Sequence, residues 1–193
     1  MFTKLWRKVH KVLGIIKGEG VKKNVSGIGN EIYIGENFVC GTFEINVFGN
    51  NNVVTIGDNC VFNKYNRIFV GGSNNKIFIG NNVTFDQNVV IAVADGTSLV
   101  VGDDCMFANN VRIRTSDQHS IYDANGELIN SPADVQIGKH VWLGNSAVVM
   151  KGVTIGDGCV VGMESMVTKN IKDACLVVGT PAYIIKEDIT WKR

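Results

Sequence analysis

The stretch from Ile137 to Met166 reads IGKHVW, LGNSAV, VMKGVT, IGDGCV and VGMESM in successive units of six residues. An aliphatic residue opens each unit, and a second apolar or small residue stands at its fifth place. A period of six with two apolar positions fits neither an amphipathic α-helix nor a simple alternating strand. It predicts a parallel β-solenoid, in which each unit supplies one short strand and one corner.

The same aliphatic-glycine step recurs towards the amino terminus. Three units make one coil, so Ile137 and Ile155, which are 18 residues apart, open equivalent strands. Between residues 34 and 101 the steps are 22, 23 and 22 residues, which predicts one coil plus a short corner loop each time, at 49–52 and 72–75. The step from Val101 to Ile137 is 36 residues, which on this count equals two coils. The aliphatic-glycine pairs that open these earlier coils are Ile34-Gly35, Ile56-Gly57, Ile79-Gly80 and Val101-Gly102.

Composition narrows the class of protein. With 193 residues we expect one main body. The chain has 19 Lys plus Arg against 18 Asp plus Glu, so its net charge gives no general attraction to nucleic acid or an anionic membrane. No apolar run approaches the roughly 20 residues of a membrane span, and we expect a cytoplasmic protein. The five cysteines form no CxxC pair, and Cys60, Cys105 and Cys159 all take the fifth place of a unit, where we predict corner packing.

The two ends differ from the repeat. Residues 1–20 predict an amphipathic helix with its apolar side chains on one face. We favour a cap that seals the first coil over a helix that lies on a membrane surface. We expect the solenoid over residues 30–178 and a tail over 179–193 that folds back along the coils as a strand or helix.

The repeat is interrupted once, by a polar loop over residues 114–134. An insertion of this length in so regular a fold predicts a functional segment. His119 lies in this loop, where no apolar face accounts for it, whereas His10 and His140 are expected to be structural. Further candidates for binding a sugar are Tyr122, Asp123 and Asn130, although polar residues are common in any loop.

The segments 137–144, 152–156 and 179–182, with the sequences IGKHVWLG, GVTIG and GTPA, resemble the hexapeptide-repeat acyltransferases. The likeness spans about residues 30–187, and within the family the chain resembles the O-acetyltransferases of bacterial capsule and lipopolysaccharide sugars. It implies an all-β fold, a left-handed parallel β-helix, and a homotrimer with active sites between subunits. It further implies acetyl-CoA as co-substrate, a sugar or polysaccharide as acceptor, and no metal.

By this resemblance the loop supplies the catalytic base. His119 would take a proton from the acceptor hydroxyl, a role that suits an imidazole with a pKa near 6.5. Asp117 either orients that imidazole, as the third member of a triad does, or caps a turn. Transfer would be direct, without a Ser or Cys intermediate.

The resemblance also assigns binding residues. Trp142, an aromatic at an outward position, would border the active site, pack at a subunit interface, or do both. Backbone amides between Trp142 and Asn145 would stabilise the oxyanion. Tyr183 stands where related sugar acetyltransferases often carry Arg, so Lys172, Lys186 or Lys192 would have to meet the CoA phosphates. The residues carried over for CoA are Gly144, Asn145, Met163, Thr168, Lys169 and Lys186.

Several alternatives stay open at this point. The chain could acetylate the amino group of an amino sugar or nucleotide sugar, although it has no additional α/β domain in front of the repeat. It could inactivate an antibiotic hydroxyl, or serve as a non-catalytic solenoid that binds a ligand. A zinc carbonic anhydrase of the same fold would need three ligating histidines, and His119 and His140 are 21 residues apart.

Overall fold

The computed structural model describes residues 17–18 and 20–193, and they form a parallel β-solenoid of about seven coils. This part of the chain contains strands and turns and no helix, so it also holds no helix that could span a membrane. The parallel solenoid predicted from the six-residue period is confirmed.

Twenty-two strands build the coils. In chain order they are β1 (Lys17–Gly18), β2 (Val21–Ser26), β3 (Glu31–Ile34), β4 (Val39–Cys40), β5 (Phe43–Phe48), β6 (Val53–Ile56), β7 (Val61–Phe62), β8 (Asn66–Gly71), β9 (Lys76–Ile79), β10 (Thr84–Phe85), β11 (Val90–Ala94), β12 (Ser98–Val101), β13 (Met106–Phe107), β14 (Arg112–Arg114), β15 (Val135–Ile137), β16 (Trp142–Leu143), β17 (Val148–Val149), β18 (Thr154–Ile155), β19 (Val160–Val161), β20 (Met166–Val167), β21 (Leu176–Val178) and β22 (Tyr183–Lys186).

The strands stack into three sheets that form the sides of a prism. Sheet A has the order β1-β4-β7-β10-β13-β16-β19-β21-β22, sheet B has β2-β5-β8-β11-β14-β17-β20, and sheet C has β18-β15-β12-β9-β6-β3. The pairings are parallel except the last, β21 with β22. The chain runs from sheet C to A to B in every coil, and we name the corners C–A, A–B and B–C accordingly.

The core is a set of columns that run along the prism axis. Every unit opener and fifth-place residue that we predicted to point inward from Ile137 to Val167 is buried. On the inner side of sheet A the rings of Phe62 and Phe85 stack at 4.0 Å, and those of Phe85 and Phe107 at 4.8 Å. Cys60 and Cys105 are buried at the C–A corner as predicted, and each thiol donates to a glycine carbonyl of the next coil.

The corners carry the residues that tolerate positive φ. Gly49 has φ of 120°, and a Cβ there would lie 1.9 Å from the Gly72 carbonyl oxygen, so only glycine fits. The side-chain amides of Asn30, Asn52 and Asn75 form a ladder along the B–C corner, with successive amide bonds of 3.0 and 2.9 Å, and those of Asn52 and Asn75 are buried. The predicted loops 49–52 and 72–75 both lie at this corner. There the side-chain amides of Asn52 and Asn75 donate to the carbonyls of Gly72 and Gly71.

The 36-residue step was interpreted wrongly. Val101 pairs directly with Ile137, and Met106 with Trp142, so the step covers one coil and not two. The surplus residues form a single projection, 115–134, between β14 and β15. The three preceding coils take 22, 23 and 22 residues, so it is a coincidence that 36 is twice 18.

At the amino-terminal end most of the helix predicted for residues 1–20 lies outside the described residues. Lys17–Gly18, which the prediction placed at its end, is a strand paired with Val39–Cys40. Val21–Ser26 pairs with Phe43–Phe48, so the coil starts before residue 30. At the other end the tail folds back as a strand, β22, which is one of the two alternatives predicted.

Candidate functional site

The loop at residues 115–134 is held to the rim of the prism where it leaves sheet B. The buried hydroxyl of Thr115 accepts a hydrogen bond from the Thr97 hydroxyl at 2.5 Å. The Ser116 hydroxyl donates to the Asp95 carboxylate at 2.6 Å, and the Ala133 amide returns to the Thr115 carbonyl at 2.9 Å. The two ends of the loop are therefore fixed side by side.

Asn130 holds the backbone directly after His119. Its amide nitrogen donates to the His119 carbonyl at 2.8 Å, and its amide oxygen accepts from the Ile121 amide at 2.7 Å. His119 is exposed, and among the described residues none forms a hydrogen bond with its imidazole. The geometry therefore fixes the main chain of His119 and leaves both ring nitrogens available to a ligand.

Asp117 does not contact the imidazole of His119. Its carboxylate accepts from the Lys151 ammonium at 2.5 Å and from the Asn130 amide at 2.9 Å. These two hydrogen bonds lower the pKa of Asp117, with the Lys151 bond the larger cause. Of the two roles left open for Asp117, the structure therefore supports a structural one and not the orientation of the imidazole.

Lys151 is a residue that the sequence analysis missed. It follows β17 at the B–C corner, one coil beyond the loop, and its ammonium also donates to the Asn130 carbonyl at 2.6 Å. Its side chain is only 19% exposed, which is low for a lysine. Its place in the unit VMKGVT is an ordinary solvent position, so the sequence carries no signal that the loop folds onto it.

The tip of the loop is a small hairpin. Tyr122 bridges Leu128, and the Asp123 carboxylate accepts from the amides of Asn125 and Glu127 at 2.8 and 2.9 Å. These backbone bonds lower the pKa of Asp123. Asp123 thus caps a turn, and Tyr122 is the more available of the two predicted sugar-binding residues, with 60% of its surface exposed.

Trp142 lies on another side of the prism from the loop. It belongs to β16 in sheet A, points outward between Met106 and Val160, and is 37% exposed. The loop that carries His119 projects from the B–C corner. One chain therefore does not bring these two predicted site residues together.

The residues predicted for CoA divide between two edges of sheet B. Gly144, Asn145 and Met163 meet at the A–B corner, because a Cβ on Gly144 would lie 2.8 Å from the Met163 amide nitrogen. The Asn145 carbonyl accepts from the Glu164 amide of the next coil at 2.8 Å. Thr168 and Lys169 follow β20 at the B–C corner, where they are exposed. The B–C set thus shares its corner with the loop.

Strand β22 carries the last two residues of interest. It runs antiparallel to β21, so that Tyr183 pairs with Val178 and Lys186 with Leu176. All four residues of β22 are exposed. Lys186 therefore lies on the carboxyl-terminal coil but at the C–A end of the strand, away from Thr168 and Lys169.

The amides predicted as oxyanion donors are mostly committed to the solenoid. Those of Trp142 and Gly144 donate to Cys159 and Val161 of the next coil at 2.9 and 2.8 Å. The amide of Asn145 has no such acceptor within the described part of the chain. Of the predicted stretch it is the amide best able to face a ligand.

The cysteines are unsuited to nucleophilic catalysis. All five are buried free thiols. Burial raises the pKa of Cys60 to about 11 and that of Cys105 to about 12. A thiol with so high a pKa holds little of the reactive thiolate near neutral pH. In residues 17–18 and 20–193, His, Cys, Asp and Glu form no cluster of three or more that could hold a metal ion.

His140 is held in a structural contact, as predicted. It lies at the C–A corner, where its ring shares a hydrogen bond with Asp104 and stacks on Trp191. It has no contact with the loop.

These features define a hexapeptide solenoid with a projecting histidine loop, and comparison with known proteins agrees. The family "Bacterial transferase hexapeptide (six repeats)" matches residues 134–169. The crystal structure of the polysialic acid O-acetyltransferase OatWY is 33% identical and superposes with a TM-score of 0.72, over 90% of this chain and 92% of that one. The chain belongs to the hexapeptide-repeat transferase family.

Two curated relatives are similar over shorter segments. Polysialic acid O-acetyltransferase of Escherichia coli is 35% identical over 44% of this chain and 28% of its own length. Chloramphenicol acetyltransferase of Agrobacterium fabrum is 45% identical over 33% of this chain and 30% of its own length. The matched segments thus span less than a third of these two relatives.

Proposed function

We propose that this protein is an acetyltransferase that moves the acetyl group of acetyl-CoA to a sugar hydroxyl, with His119 as general base. The observation that carries the proposal is that Asn130 fixes the His119 carbonyl and the Ile121 amide in an anchored loop, on a solenoid of the transferase family. A rigid main chain with an unengaged imidazole suits a base that must meet a hydroxyl proton.

The reaction would proceed by direct transfer. His119 accepts the proton of the acceptor hydroxyl as its oxygen attacks the thioester carbonyl carbon. The tetrahedral intermediate collapses with cleavage of the carbon–sulfur bond, and the imidazolium returns its proton to the departing thiolate. The products are the acetylated sugar and free CoA thiol. The amide of Asn145 is our candidate to stabilise the oxyanion.

We propose that the active site forms between two copies of the chain within a homotrimer. His119, Thr168 and Lys169 belong to the B–C corner, whereas Trp142 and Asn145 belong to sheet A and the A–B corner. A B–C corner packed against the A side of a neighbour would unite the two sets. In that arrangement CoA would lie between the B–C corner of one subunit and sheet A of its neighbour. Lys169 of the first subunit and Lys186 of the neighbour would meet the CoA phosphates, because position 183 holds Tyr183 and not an arginine.

The acceptor we propose is a bacterial surface polysaccharide. Two similar proteins, the solved structure OatWY and the relative from Escherichia coli, are named polysialic acid O-acetyltransferases. A polymer that presents a hydroxyl to an exposed loop also suits the open position of Tyr122. We further propose a left-handed coil, as the resemblance implies, and a cytoplasmic location, where acetyl-CoA is available and the five thiols stay reduced.

The test is the release of CoA thiol from acetyl-CoA in the presence of an acceptor panel. The panel contains polysialic acid, hexoses, amino sugars, a nucleotide amino sugar and chloramphenicol. We expect turnover with a polysaccharide, and a loss of about 10²- to 10⁴-fold in kcat for His119→Ala. Asn125→Ala, at the exposed turn of the same loop, is the matched control and should retain activity.

The alternatives predict other results. Turnover confined to the amino sugars would assign N-acetylation, and turnover confined to chloramphenicol would assign a different acceptor class. An active His119→Ala variant would refute the base. A wild type that binds no acetyl-CoA would favour the non-catalytic solenoid.

A further inference from the structure

The last seven residues, Glu187–Arg193, return along the C–A corner, and we call them the C-terminal strap. The Ile189 amide donates to the Ala174 carbonyl at 3.0 Å in the last coil. Arg193 then reaches Asn82 and Thr84, about four coils earlier, with its guanidinium nitrogens 3.0 Å from the Asn82 carbonyl and 2.7 Å from the Thr84 hydroxyl. The strap therefore crosses several coils and does not end free in solvent.

Trp191 sits at the middle of the strap between two aromatic side chains. Its ring stacks on the imidazole of His140 at 4.0 Å with an interplanar angle of 11°. The indole nitrogen donates to the His140 carbonyl at 2.9 Å, and the imidazole in turn faces the Trp191 carbonyl at 3.1 Å. On its other side Trp191 lies 5.9 Å from the ring of Trp142, tilted by 45°.

Arg193 and Asp104 anchor the end of the strap. The guanidinium donates to the Asp104 carboxylate at 3.0 Å and to the Cys105 carbonyl at 2.9 Å. The same carboxylate accepts from His140 at 2.5 Å. Asp104 thus binds both the His140 imidazole, on which Trp191 stacks, and the Arg193 guanidinium two residues after Trp191. These contacts fix the position of Trp191.

Trp142 needs such a support. Its strand is two residues long, and its side chain points outward, where the flanking Met106 and Val160 belong to the same face. Among the described residues Trp191 is the only ring in contact with it. An indole on the outside of a sheet otherwise samples several rotamers, and restricting them in advance favours binding.

We propose that the C-terminal strap positions the Trp142 indole for substrate binding, with Trp191 as the positioning residue. This inference rests on the proposed function, in which Trp142 borders the site for acetyl-CoA and acceptor. Trp191 itself touches neither substrate. Loss of its ring would therefore weaken the binding of ground state and transition state alike, which raises KM and leaves kcat nearly unchanged.

The experiment compares Trp191→Ala and Trp191→Phe in the full-length protein. An aromatic contact contributes enough for about a 2- to 12-fold rise in KM for acetyl-CoA or acceptor on its loss. Trp191→Phe, which keeps a ring, should recover most of that loss. Thr190→Ala, an exposed neighbour in the same strap, is the control and should behave as wild type.

Circular dichroism gives a readout that is independent of turnover. Two indoles at this distance couple, and we expect an exciton couplet that disappears in Trp191→Phe and equally in Trp142→Phe. A lost couplet with unaltered KM, kcat and acetyl-CoA affinity in Trp191→Ala would overturn the inference alone. A fall in kcat and thermal stability with KM unchanged would also overturn it, because that pattern marks a merely structural strap.

A failure of the proposed function looks different. Wild type that neither binds nor turns over acetyl-CoA, while the couplet is intact, would refute the acetyltransferase and with it the role of Trp142. Calorimetric titration of wild type and Trp191→Ala with acetyl-CoA distinguishes the two cases.

Discussion

Replacing Lys151 by methionine should release the loop that carries His119. The ammonium is the point where the loop is tied to the following coil, since it donates to both the Asp117 carboxylate and the Asn130 carbonyl. Asn130 in turn holds the main chain at the His119 carbonyl and the Ile121 amide. Methionine is an unbranched side chain of nearly the same length, and it removes both bonds.

The magnitude follows from the two bonds and their exposure. A hydrogen bond to a charged group contributes about 1.5–3 kcal/mol. The Asp117 side chain is 34% exposed and that of Lys151 is 19% exposed, so solvent screening reduces the sum to about 2 kcal/mol. If this free energy is what keeps the loop ordered, kcat/KM should fall by about 30-fold. The buried core is untouched, so the midpoint of thermal unfolding should change little.

The assay is thiol release at saturating and limiting acceptor, beside a thermal melt. Lys139→Met is the matched control, because Lys139 also pairs with an aspartate, Asp103 at 3.2 Å, but its side chain is 67% exposed and faces the C–A corner. We expect that variant to retain activity. Equal activity of Lys151→Met and wild type, or a loss that merely follows global unfolding, would refute the tie between Lys151 and His119.

The ion pair of Lys151 with Asp117 should also be lost at low pH. The pKa of Asp117 is lowered in the folded protein, so its contribution is present above the ordinary pKa of about 3.9 and is lost as pH falls through the lowered value. The ratio of wild-type to Lys151→Met activity should therefore be constant from neutral pH down to about pH 5. A ratio that falls steadily across that range would point to another group.

Two further predictions concern stability. Phe85→Ala should lower the free energy of unfolding by about 3–5 kcal/mol in a denaturant titration, because its buried ring stacks on both neighbours, whereas the exposed Phe48→Ala should cost about 0.5 kcal/mol or less. Asp104, as the first cause, raises the pKa of His140, and Arg193 opposes it. The stabilisation of the strap by the ion pair of His140 with Asp104 is thus present in full below the ordinary pKa of about 6.5 and is lost as pH rises through the raised value, so the indole couplet should weaken with rising pH and His140→Gln should abolish that dependence.

The six-residue period made the body of the solenoid predictable because each position has one environment in every coil. Val141, Ala147 and Val153 face the core for the same geometric reason, and the cysteines at this place are buried likewise. The predicted number of coils was wrong after Val101, because it was obtained by dividing the number of residues by 18. The true register is defined by the pairing of Val101 with Ile137. Counting works for repeats and not across an insertion.

The candidate site was predictable in part. The loop and the position of His119 follow from the loss of the repeat, which is a local signal. The partner of Asp117 depends on a contact 34 residues away, made when the loop folds onto a later coil, and no local pattern encodes it. The sequence predicted that the tail folds back along the coils, but not the contacts of the strap, since Arg193 bonds Thr84 across 109 residues.

These distant contacts explain how the loop and the C-terminal strap, which leave the stacked strands, are held in place. Within a coil each residue is held by its neighbours above and below, but an insertion leaves that ladder and needs a tie of its own. Lys151 supplies it from the next coil at the corner where the loop emerges, and Arg193 does the same for the strap from the end of the chain. Both ties pair a cation with an aspartate: Lys151 of the solenoid with Asp117 of the loop, and Arg193 of the strap with Asp104 of the solenoid. Because both are ionic and partly exposed, high salt should loosen the loop and the strap while the ladder of coils remains intact.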